Sequence, residues 1–346
     1  MLQRTHHHRA SYRSAVLAVF VLAALCWQAP FAAAAERIKL GVIKTTSSGP
    51  IYIAIERGYF AAEGIEAELT FFDAAQPIAV ATVSGDVDIG STGLTAGFYA
   101  LAGQGALRII GAQGREAPGF HNLGYMVSNR AYESGVTSLK NIAGHSVAVS
   151  QTGAPGHYVI GALAEKYGVD LAKLRVLPLQ SVPNIYSALT GGQADLGVTI
   201  ITVPIMPSID RGDLKILAWV GDEMAFQDRG FFVTTKTANE RRDMIERFFR
   251  GYLKGVADYR AAFIGPDDKP KDGPTAPDIL AIIGKYVGQP VAAIKLGIAY
   301  VDPKLQVNVQ DILHQIAWYK SQGMLKSDVN GEDVLDKRYV IPLPQK

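Results

Sequence analysis

The sequence predicts an α/β protein of two similar lobes, because one pattern of residues occurs twice and strands alternate with helices around each copy. The clearest match is Ala81-x-x-x-Gly85-x-x-Asp88-x-Gly90, which returns as Ala188-x-x-x-Gly192-x-x-Asp195-x-Gly197. Two weaker matches keep the same order: Val42…Thr45…Gly49 with Val149…Thr152…Gly156, and Gly64-Ile65-Glu66 with Gly168-Val169-Asp170. The copies lie a domain length apart, whereas solenoid units span roughly 20–50 residues. Two facing lobes form a cleft, and such clefts bind small molecules.

In the first unit, turn and helix-start signals separate short apolar runs. We expect strands at residues 38–43, 68–72, 87–90 and 108–112, and helices at 50–57 and 77–83, with a third helix that ends near Gly103. Pro50 and Pro77 mark helix starts, since proline is favoured in the first turn, and Gly58 marks a helix end. This alternation is typical of an α/β lobe.

The second unit repeats the order, and helices follow it. We expect strands at 146–150, 174–179, 194–198 and 214–220, and helices at 155–167 and 183–190, after which the chain crosses back. From Asn239 onward the pattern is helical. One apolar face comprises Ile245, Phe248, Phe249, Tyr252, Leu253, Val256 and Tyr259, a spacing that indicates core packing. Residues 265–277 are predicted to be an exposed loop and 307–322 a last amphipathic helix.

The N-terminus has the pattern of a secretory signal peptide. Arg4, Arg9 and Arg13 are followed by an apolar run over residues 15–25, and three alanines precede Glu36. The run is short of the ~20 residues that a spanning helix needs. We therefore expect cleavage after about Ala35 and a periplasmic location. The predicted domains are a signal peptide at 1–35, a discontinuous first lobe at 36–120 and 222–346, and a second lobe at 121–221.

Composition excludes several kinds of function. The only cysteine, Cys26, lies in the predicted signal peptide, so the remaining chain offers no disulfide, thiolate nucleophile or cysteine metal site. The formal net charge is +2, and cleavage would remove three arginines, so no basic surface suggests nucleic acid. The common nucleotide-binding, zinc-hydrolase and serine-hydrolase motifs are absent. We expect a protein that is not an enzyme and has no cofactor or metal.

The candidate ligand site lies in the loops that follow strands, because ligands of open α/β sheets collect at the carboxyl ends of strands. These loops are rich in Ser, Thr and Gly, and several lead into helices whose free N–H groups suit an anion. An alternative is that the hydroxyls simply cap helices. The predicted ligand-binding residues are Lys44, Thr45, Thr46, Ser47, Ser91, Thr92, Arg115, His121, Gln151, Thr152, His157, Tyr158, Asn184 and Thr199. Phe120, Tyr158 and Tyr186 could cover an organic group, which favours an organic anion over nitrate.

Two motifs carry a resemblance to a known family. The chain has Gly49-Pro50-x-Tyr52-x-Ala54 followed by Gly58-Tyr59-Phe60-x-x-Glu63-Gly64-Ile65, and then the two repeated Gly/Asp blocks. In these it resembles the periplasmic solute-binding proteins of ABC importers for nitrate, taurine, alkanesulfonates and thiamine precursors. The resemblance covers residues 38–323, and its motifs are mostly scaffold residues.

The resemblance implies a type 2 periplasmic binding-protein fold, in which two lobes joined by two crossings close on a ligand. It implies a receptor that delivers a small organic anion, a sulfonate or carboxylate, to a membrane permease, and we expect a monomer. A thiamine-precursor binder, or a sensor partner of a membrane kinase, remains an alternative. The family also includes thiamine-pyrimidine synthases, for which the resemblance implies a cysteine-rich segment that this chain lacks.

Overall fold

The computed structural model describes residues 34–200, 205–326 and 328–344. The predicted signal peptide therefore lies outside the described residues, apart from its last two. Two five-stranded sheets form the framework of residues 36–344. Helices cover both sheets, so the predicted α/β class is confirmed.

The first sheet has the strand order β2-β1-β3-β10-β4. Its strands are β1 (Glu36–Ile43), β2 (Ile65–Phe72), β3 (Ile89–Gly93), β4 (Leu107–Glu116) and β10 (Phe226–Thr234). Strands β1, β2 and β3 are parallel, and β10 runs antiparallel between β3 and β4. The sequence did not predict β10, which returns to this sheet after the chain has built the second one.

The second sheet has the matching order β7-β6-β8-β5-β9. Its strands are β5 (Leu123–Ser128), β6 (Ser146–Val149), β7 (Arg175–Pro178), β8 (Leu196–Ile200) and β9 (Leu214–Trp219). Here β5 is the antiparallel strand, between β8 and β9. It also was not predicted. Each sheet therefore receives one central strand directly after a crossing between the sheets.

Fifteen α-helices connect the strands or cover the sheets in the described part of the chain. They are α1 (Gly49–Glu56), α2 (Tyr59–Ala62), α3 (Ala75–Ser84), α4 (Ala96–Gly103), α5 (Asn129–Glu133), α6 (Pro155–Tyr167), α7 (Val182–Thr190), α8 (Met206–Asp210), α9 (Val220–Glu223), α10 (Thr235–Glu240), α11 (Arg242–Phe263), α12 (Ala276–Val287), α13 (Val291–Leu296), α14 (Val309–Ser321) and α15 (Gly331–Val334). Among the described residues, none of the helices is long and apolar enough to cross a membrane.

The aspartates of the repeat have equivalent structural roles. Asp88 accepts a hydrogen bond of 2.9 Å from the amide of Lys39 in β1, and Asp195 accepts one of 2.9 Å from the amide of Ser146 in β6. Each carboxylate thus holds the strand at the equivalent place in its own sheet, β1 in the first sheet and β6 in the second. Gly85 and Gly192 adopt φ values of +83° and +67°, which residues with a side chain rarely adopt. The repeated sequence pattern therefore corresponds to the same turn in both copies, at Gly85 and at Gly192.

One hydrophobic core contacts both sheets. It includes Phe98 and Leu107 from the side of the first sheet, Tyr125 and Val147 from the second, and Trp318 from α14. A second core packs α1, α11 and α12 on the first sheet, and a third packs α7 on the second. The two sheets are therefore joined through packed side chains as well as through the crossing segments.

Candidate functional site

A cleft lies between the two sheets where the carboxyl ends of β1, β3 and β8 face each other. The space between its walls amounts to about 620 Å³, part of which is open to solvent. Its lining comprises Ile43, Thr45, Ser47, Ser48, Ala74, Ala75, Ser91, Thr92, Gly93, Gln113, Leu123, Ser150, Pro155, Gly156, Val182, Val198, Thr199, Ile200, Asp228 and Arg229.

Hydroxyl groups line the cleft where β1 and β3 end. Thr45 and Ser47 form a tight turn before α1 and share a hydrogen bond of 2.9 Å between their hydroxyl oxygens. Ser91 and Thr92 lie in β3, and both hydroxyls are buried without a hydrogen-bond partner among the described residues. Because a buried polar group without a partner is costly, these hydroxyls are available to a ligand.

Arg229 of β10 is the cation of this wall. It is only 6% exposed, and none of its three guanidinium nitrogens makes an aligned hydrogen bond within the described part of the chain. Its Nε lies 3.0 Å from Oδ2 of Asp228, a close charge contact. Gln113 in the neighbouring strand β4 is also buried, with both amide atoms unpartnered among the described residues. The cleft therefore presents N–H donors without partners among the described residues, on the forked guanidinium of Arg229 and on the side-chain amide of Gln113.

Gly114 makes room for this guanidinium. A Cβ atom at that position would lie 2.4 Å from Nη2 of Arg229, which is closer than real Cβ contacts. Gly114 pairs with Arg229 across β4 and β10, so the side chain lies over its pairing partner. The absence of a side chain at residue 114 is what allows a buried arginine here.

A buried carboxyl pair lies beside Arg229. Asn122 donates hydrogen bonds from its Nδ2 to Glu116 Oε1, at 2.6 Å, and to Asp228 Oδ2, at 3.0 Å. Burial, together with the nearby charge of Asp228, raises the pKa of Glu116 to about 8. Burial also raises the pKa of Asp228, against the opposing effect of Arg229. Glu116, Asn122 and Asp228 thus connect the end of β4, the first crossing and the start of β10.

The wall contributed by the second sheet is mainly apolar. It presents Leu123, Val182, Val198 and Ile200, with the hydroxyl of Thr199 among them. Gly156 lies close to the backbone here, since a Cβ atom on it would be 2.5 Å from the carbonyl oxygen of Val198. The cleft thus has one polar, charged wall and one apolar wall.

Of the ligand-binding residues predicted from the sequence, some line this cleft and others do not. Those that line it are Thr45, Ser47, Ser91, Thr92 and Thr199. Thr46 is buried behind the turn, and Lys44, Thr152 and Asn184 are exposed outside the cleft. Lys44 lies over the ring of Phe71 at 5.9 Å, and Asn184 donates to the carbonyl of Leu179 at 2.7 Å. The side chains of Lys44 and Asn184 are therefore engaged with local partners.

The charged candidates, Arg115 in β4, His121 in the first crossing and His157 in α6, do not line the cleft. Arg115 pairs with Asp302 at 2.7 Å and stacks on Tyr300. His121 stacks on Trp219 at 4.2 Å, and burial lowers its pKa. His157 accepts a hydrogen bond of 3.2 Å from the amide of Gly153, and burial lowers its pKa too. All three side chains are engaged with neighbouring residues outside the cleft.

The aromatic candidates and Gln151 are likewise outside the cleft. Phe120 packs edge-on against Tyr300, Tyr158 is fully buried against α14, and the hydroxyl of Tyr186 donates to the carbonyl of Ile200. Gln151 lines a different shallow depression, beside α3. None of the three aromatic rings lines the cleft, whose apolar wall is aliphatic.

The sequence analysis missed Gln113, Asp228 and Arg229, because they lie inside strands rather than in loops. A signal was present. In Phe226-Gln-Asp-Arg-Gly-Phe-Phe-Val, two opposite charges interrupt an aromatic, β-branched run, and buried charges are rare unless paired or functional.

A protein-family model described as NMT1/THI5 like matches residues 45–262, more than half of the chain. The chain belongs to this family. The predicted resemblance is therefore confirmed at the level of the family. No sequence among the curated proteins matches the chain.

Solved structures show the same fold at low sequence identity. The alkanesulfonate-binding protein SsuA from Xanthomonas axonopodis pv. citri, bound to MOPS, has a TM-score of 0.69 and 16% identity over 88% of this chain and 99% of that one. The periplasmic aliphatic sulphonate binding protein SsuA from Escherichia coli has a TM-score of 0.67 and 17% identity over 90% and 94%. The ligand-binding component of an ABC-type import system from Staphylococcus aureus, with zinc bound, has a TM-score of 0.68 and 12% identity over 88% and 97%. The two-lobed binding-protein fold is thereby confirmed.

Among the described residues, no group of three or more His, Cys, Asp or Glu side chains could hold a metal ion. The cleft offers the guanidinium fork of Arg229, hydroxyl groups, the amide of Gln113 and an apolar wall. These groups can bind an anion and an attached apolar group.

Proposed function

We propose that this chain is a periplasmic solute-binding protein that delivers a small organic anion, a sulfonate or carboxylate, to an ABC permease. The observation that carries the proposal is the buried guanidinium of Arg229, whose Nη1 and Nη2 have no partner among the described residues although it lines the cleft. Charge-assisted hydrogen bonds to an anion would satisfy these donors.

The surroundings of Arg229 support an anion of this class. The hydroxyls of Ser91 and Thr92 and the amide of Gln113 are neutral donors with no partner among the described residues, and they could share the oxygens of a sulfonate or carboxylate. Leu123, Val182, Val198 and Ile200 offer an apolar wall for the rest of the molecule. The names of the structural neighbours, two sulfonate-binding proteins and an ABC import component, agree with this assignment.

A thermal-shift panel on the chain from Glu36 onward tests the proposal. The probes are butanesulfonate, benzenesulfonate, benzoate, taurine and nitrate. A ligand at ~100 times its dissociation constant stabilises the folded state by about 2.7 kcal/mol, which raises the unfolding midpoint by several degrees. We expect the organic anions to raise it and nitrate to raise it least, because nitrate leaves the apolar wall uncovered.

Two controls make the panel decisive. The neutral alcohol 1-pentanol, which keeps the alkyl chain of butanesulfonate without its charge, should give no shift. The bound anion should be recovered unchanged, which separates binding from catalysis. A separate sample is denatured, and mass spectrometry of the released small molecules identifies any ligand carried through purification. If the ligand-free protein responds to none of the anions, the assignment to organic anions is wrong.

A further inference from the structure

The buried carboxyl pair Glu116 and Asp228 lies directly behind the cation that the proposed function assigns to the ligand. Both residues are 3% exposed, and one side-chain nitrogen, Nδ2 of Asn122, donates to both of them. The second oxygen of Glu116, Oε2, is buried and has no partner among the described residues.

The geometry suits a pair in which one of the two carboxyls is protonated. Two ionised carboxylates that share one donor in a buried site would repel each other and leave Glu116 Oε2 unsatisfied. A protonated carboxyl removes one of the charges and needs one donor fewer. In the free protein Asp228 then balances Arg229, since their charges are 3.0 Å apart between Oδ2 and Nε.

An anion on the guanidinium changes this balance. The charge of Arg229 would then be shared between the anion and Asp228, so the neighbourhood would carry one more negative charge. If both carboxyls were ionised, the anion would face two negative groups around one positive group. The arrangement thus favours the anion when the pair keeps its proton.

We propose that the organic anion binds at Arg229 together with one proton, which the Glu116–Asp228 pair retains or takes up from solvent onto a carboxylate oxygen. This inference rests on the proposed function, and it adds a regulation of the same site. No covalent bond forms or breaks except the O–H bond of that carboxyl. The direction of the raised Glu116 pKa, to about 8, agrees with it.

The other charged and titratable groups around the pair do not replace it. On β5, Tyr125 faces Glu116, and burial holds its pKa far above the ordinary value, so it stays neutral. Arg115, next to Glu116 in the chain, is engaged by Asp302. Asp311 of α14, which accepts a hydrogen bond from the amide of Gln227, also accepts one from Tyr158. Apart from the carboxyl pair itself, Arg229 is thus the charged group with which the ligand would interact directly.

Calorimetric titration with benzenesulfonate tests the proposal, because this probe stays ionised from pH 6 to 9.5. We expect constant affinity up to about pH 7 and then a loss that approaches about tenfold per pH unit, the limit for one linked proton. At pH 8, titrations in phosphate and in Tris should differ in heat by an amount that corresponds to proton uptake on binding.

Two variants supply the controls. Glu116→Gln, which cannot ionise, should bind benzenesulfonate with an affinity that does not change over this pH range and with no proton uptake. Glu240→Gln, on the exposed helix α10, should keep the pH dependence of the parent protein. If the parent protein binds with a flat pH profile and no proton uptake, the proton-linked binding is wrong and the proposed function stands. If it binds no anion at any pH, the proposed function itself fails. The proton count in the parent protein decides the question even if the Gln variant does not fold.

Discussion

Arg229 is the residue on which the assignment of an anion depends. We predict that Arg229→Lys weakens binding of benzenesulfonate by about 10- to 100-fold, because lysine keeps the charge but loses the fork that donates several hydrogen bonds. Lys44→Gln, which removes an exposed cation outside the cleft, should leave affinity unchanged. Titration calorimetry measures both. Equal effects of the two substitutions, or none, would show that the anion does not bind at Arg229.

Glu116 should give the free protein a distinctive dependence of stability on pH. Its pKa in the folded state is raised to about 8 from an ordinary 4.5. Between these values the folded protein holds a proton that the unfolded chain has lost. The stabilisation is fully present below the unfolded pKa and is lost as pH rises through the folded one.

We therefore predict that the free energy of unfolding falls from pH 5 to pH 8.5, and that Glu116→Gln makes this fall shallower. Urea unfolding at fixed temperature, with Glu240→Gln as the control, measures the two slopes. A Gln variant with the slope of the parent protein would mean that Glu116 is ionised throughout.

Sequence reasoning predicted only part of the candidate site, for a reason visible at particular residues. Ser91, Thr92 and Thr199 lie at the ends of parallel strands, so a rule about sheet edges finds them. Arg229 and Gln113 lie within strands β10 and β4, and only the pairing of these strands places them at the cleft. Lys44 and Asn184 belong to the predicted loops, but their side chains turn to local partners.

At the scale of elements, α14 holds the two sheets together. The backbone N–H of Gln227 in β10 donates a hydrogen bond to Asp311 Oδ2 at 2.7 Å. The hydroxyl of Tyr158 in α6 donates one to Asp311 Oδ1 at 3.0 Å. Tyr319 donates to the carbonyl of Ala154, just before α6, at 3.2 Å. One helix therefore makes hydrogen bonds to elements that belong to different sheets.

We predict that Tyr158→Phe lowers the free energy of unfolding by about 1–3 kcal/mol, because Asp311 would lose a donor in a buried site. Affinity for benzenesulfonate should stay unchanged, since Tyr158 does not line the cleft. Tyr132→Phe, whose ring lies under Lys215 on the surface of α5 and β9, is the matched control. A loss of affinity without a loss of stability would instead support the role in ligand binding that the sequence suggested.

Local sequence signals explain which helices and strands could be predicted and which could not. Helix α6 was predicted at residues 155–167, as observed, because Pro155 and Gly168 mark its ends and Gly168 has a φ of +65°. Strands β5 and β10 were missed because they contain glycine and polar residues. Their place between other strands is set by the tertiary fold, which local pattern cannot reveal.

For the whole molecule, the shared core predicts unfolding as one unit. Phe98, Tyr125 and Trp318 belong to a single packed cluster that contacts both sheets, and residues 36–346 form one compact unit by their contacts. Differential scanning calorimetry of the chain from Glu36 onward should therefore give one transition, with calorimetric and van't Hoff enthalpies that agree. Two resolved transitions would mean that each sheet, with its helices, is independently stable.

The central claim, that an organic anion binds at Arg229 between the two sheets, is tested most directly by a crystal structure with 4-bromobenzenesulfonate. The bromine locates the ligand through its anomalous signal. The account predicts sulfonate oxygens within hydrogen-bond distance of the Arg229 guanidinium, and the bromine against the wall that contains Val182 and Val198. A ligand bound outside the cleft, or in the cleft without contact to Arg229, would contradict it.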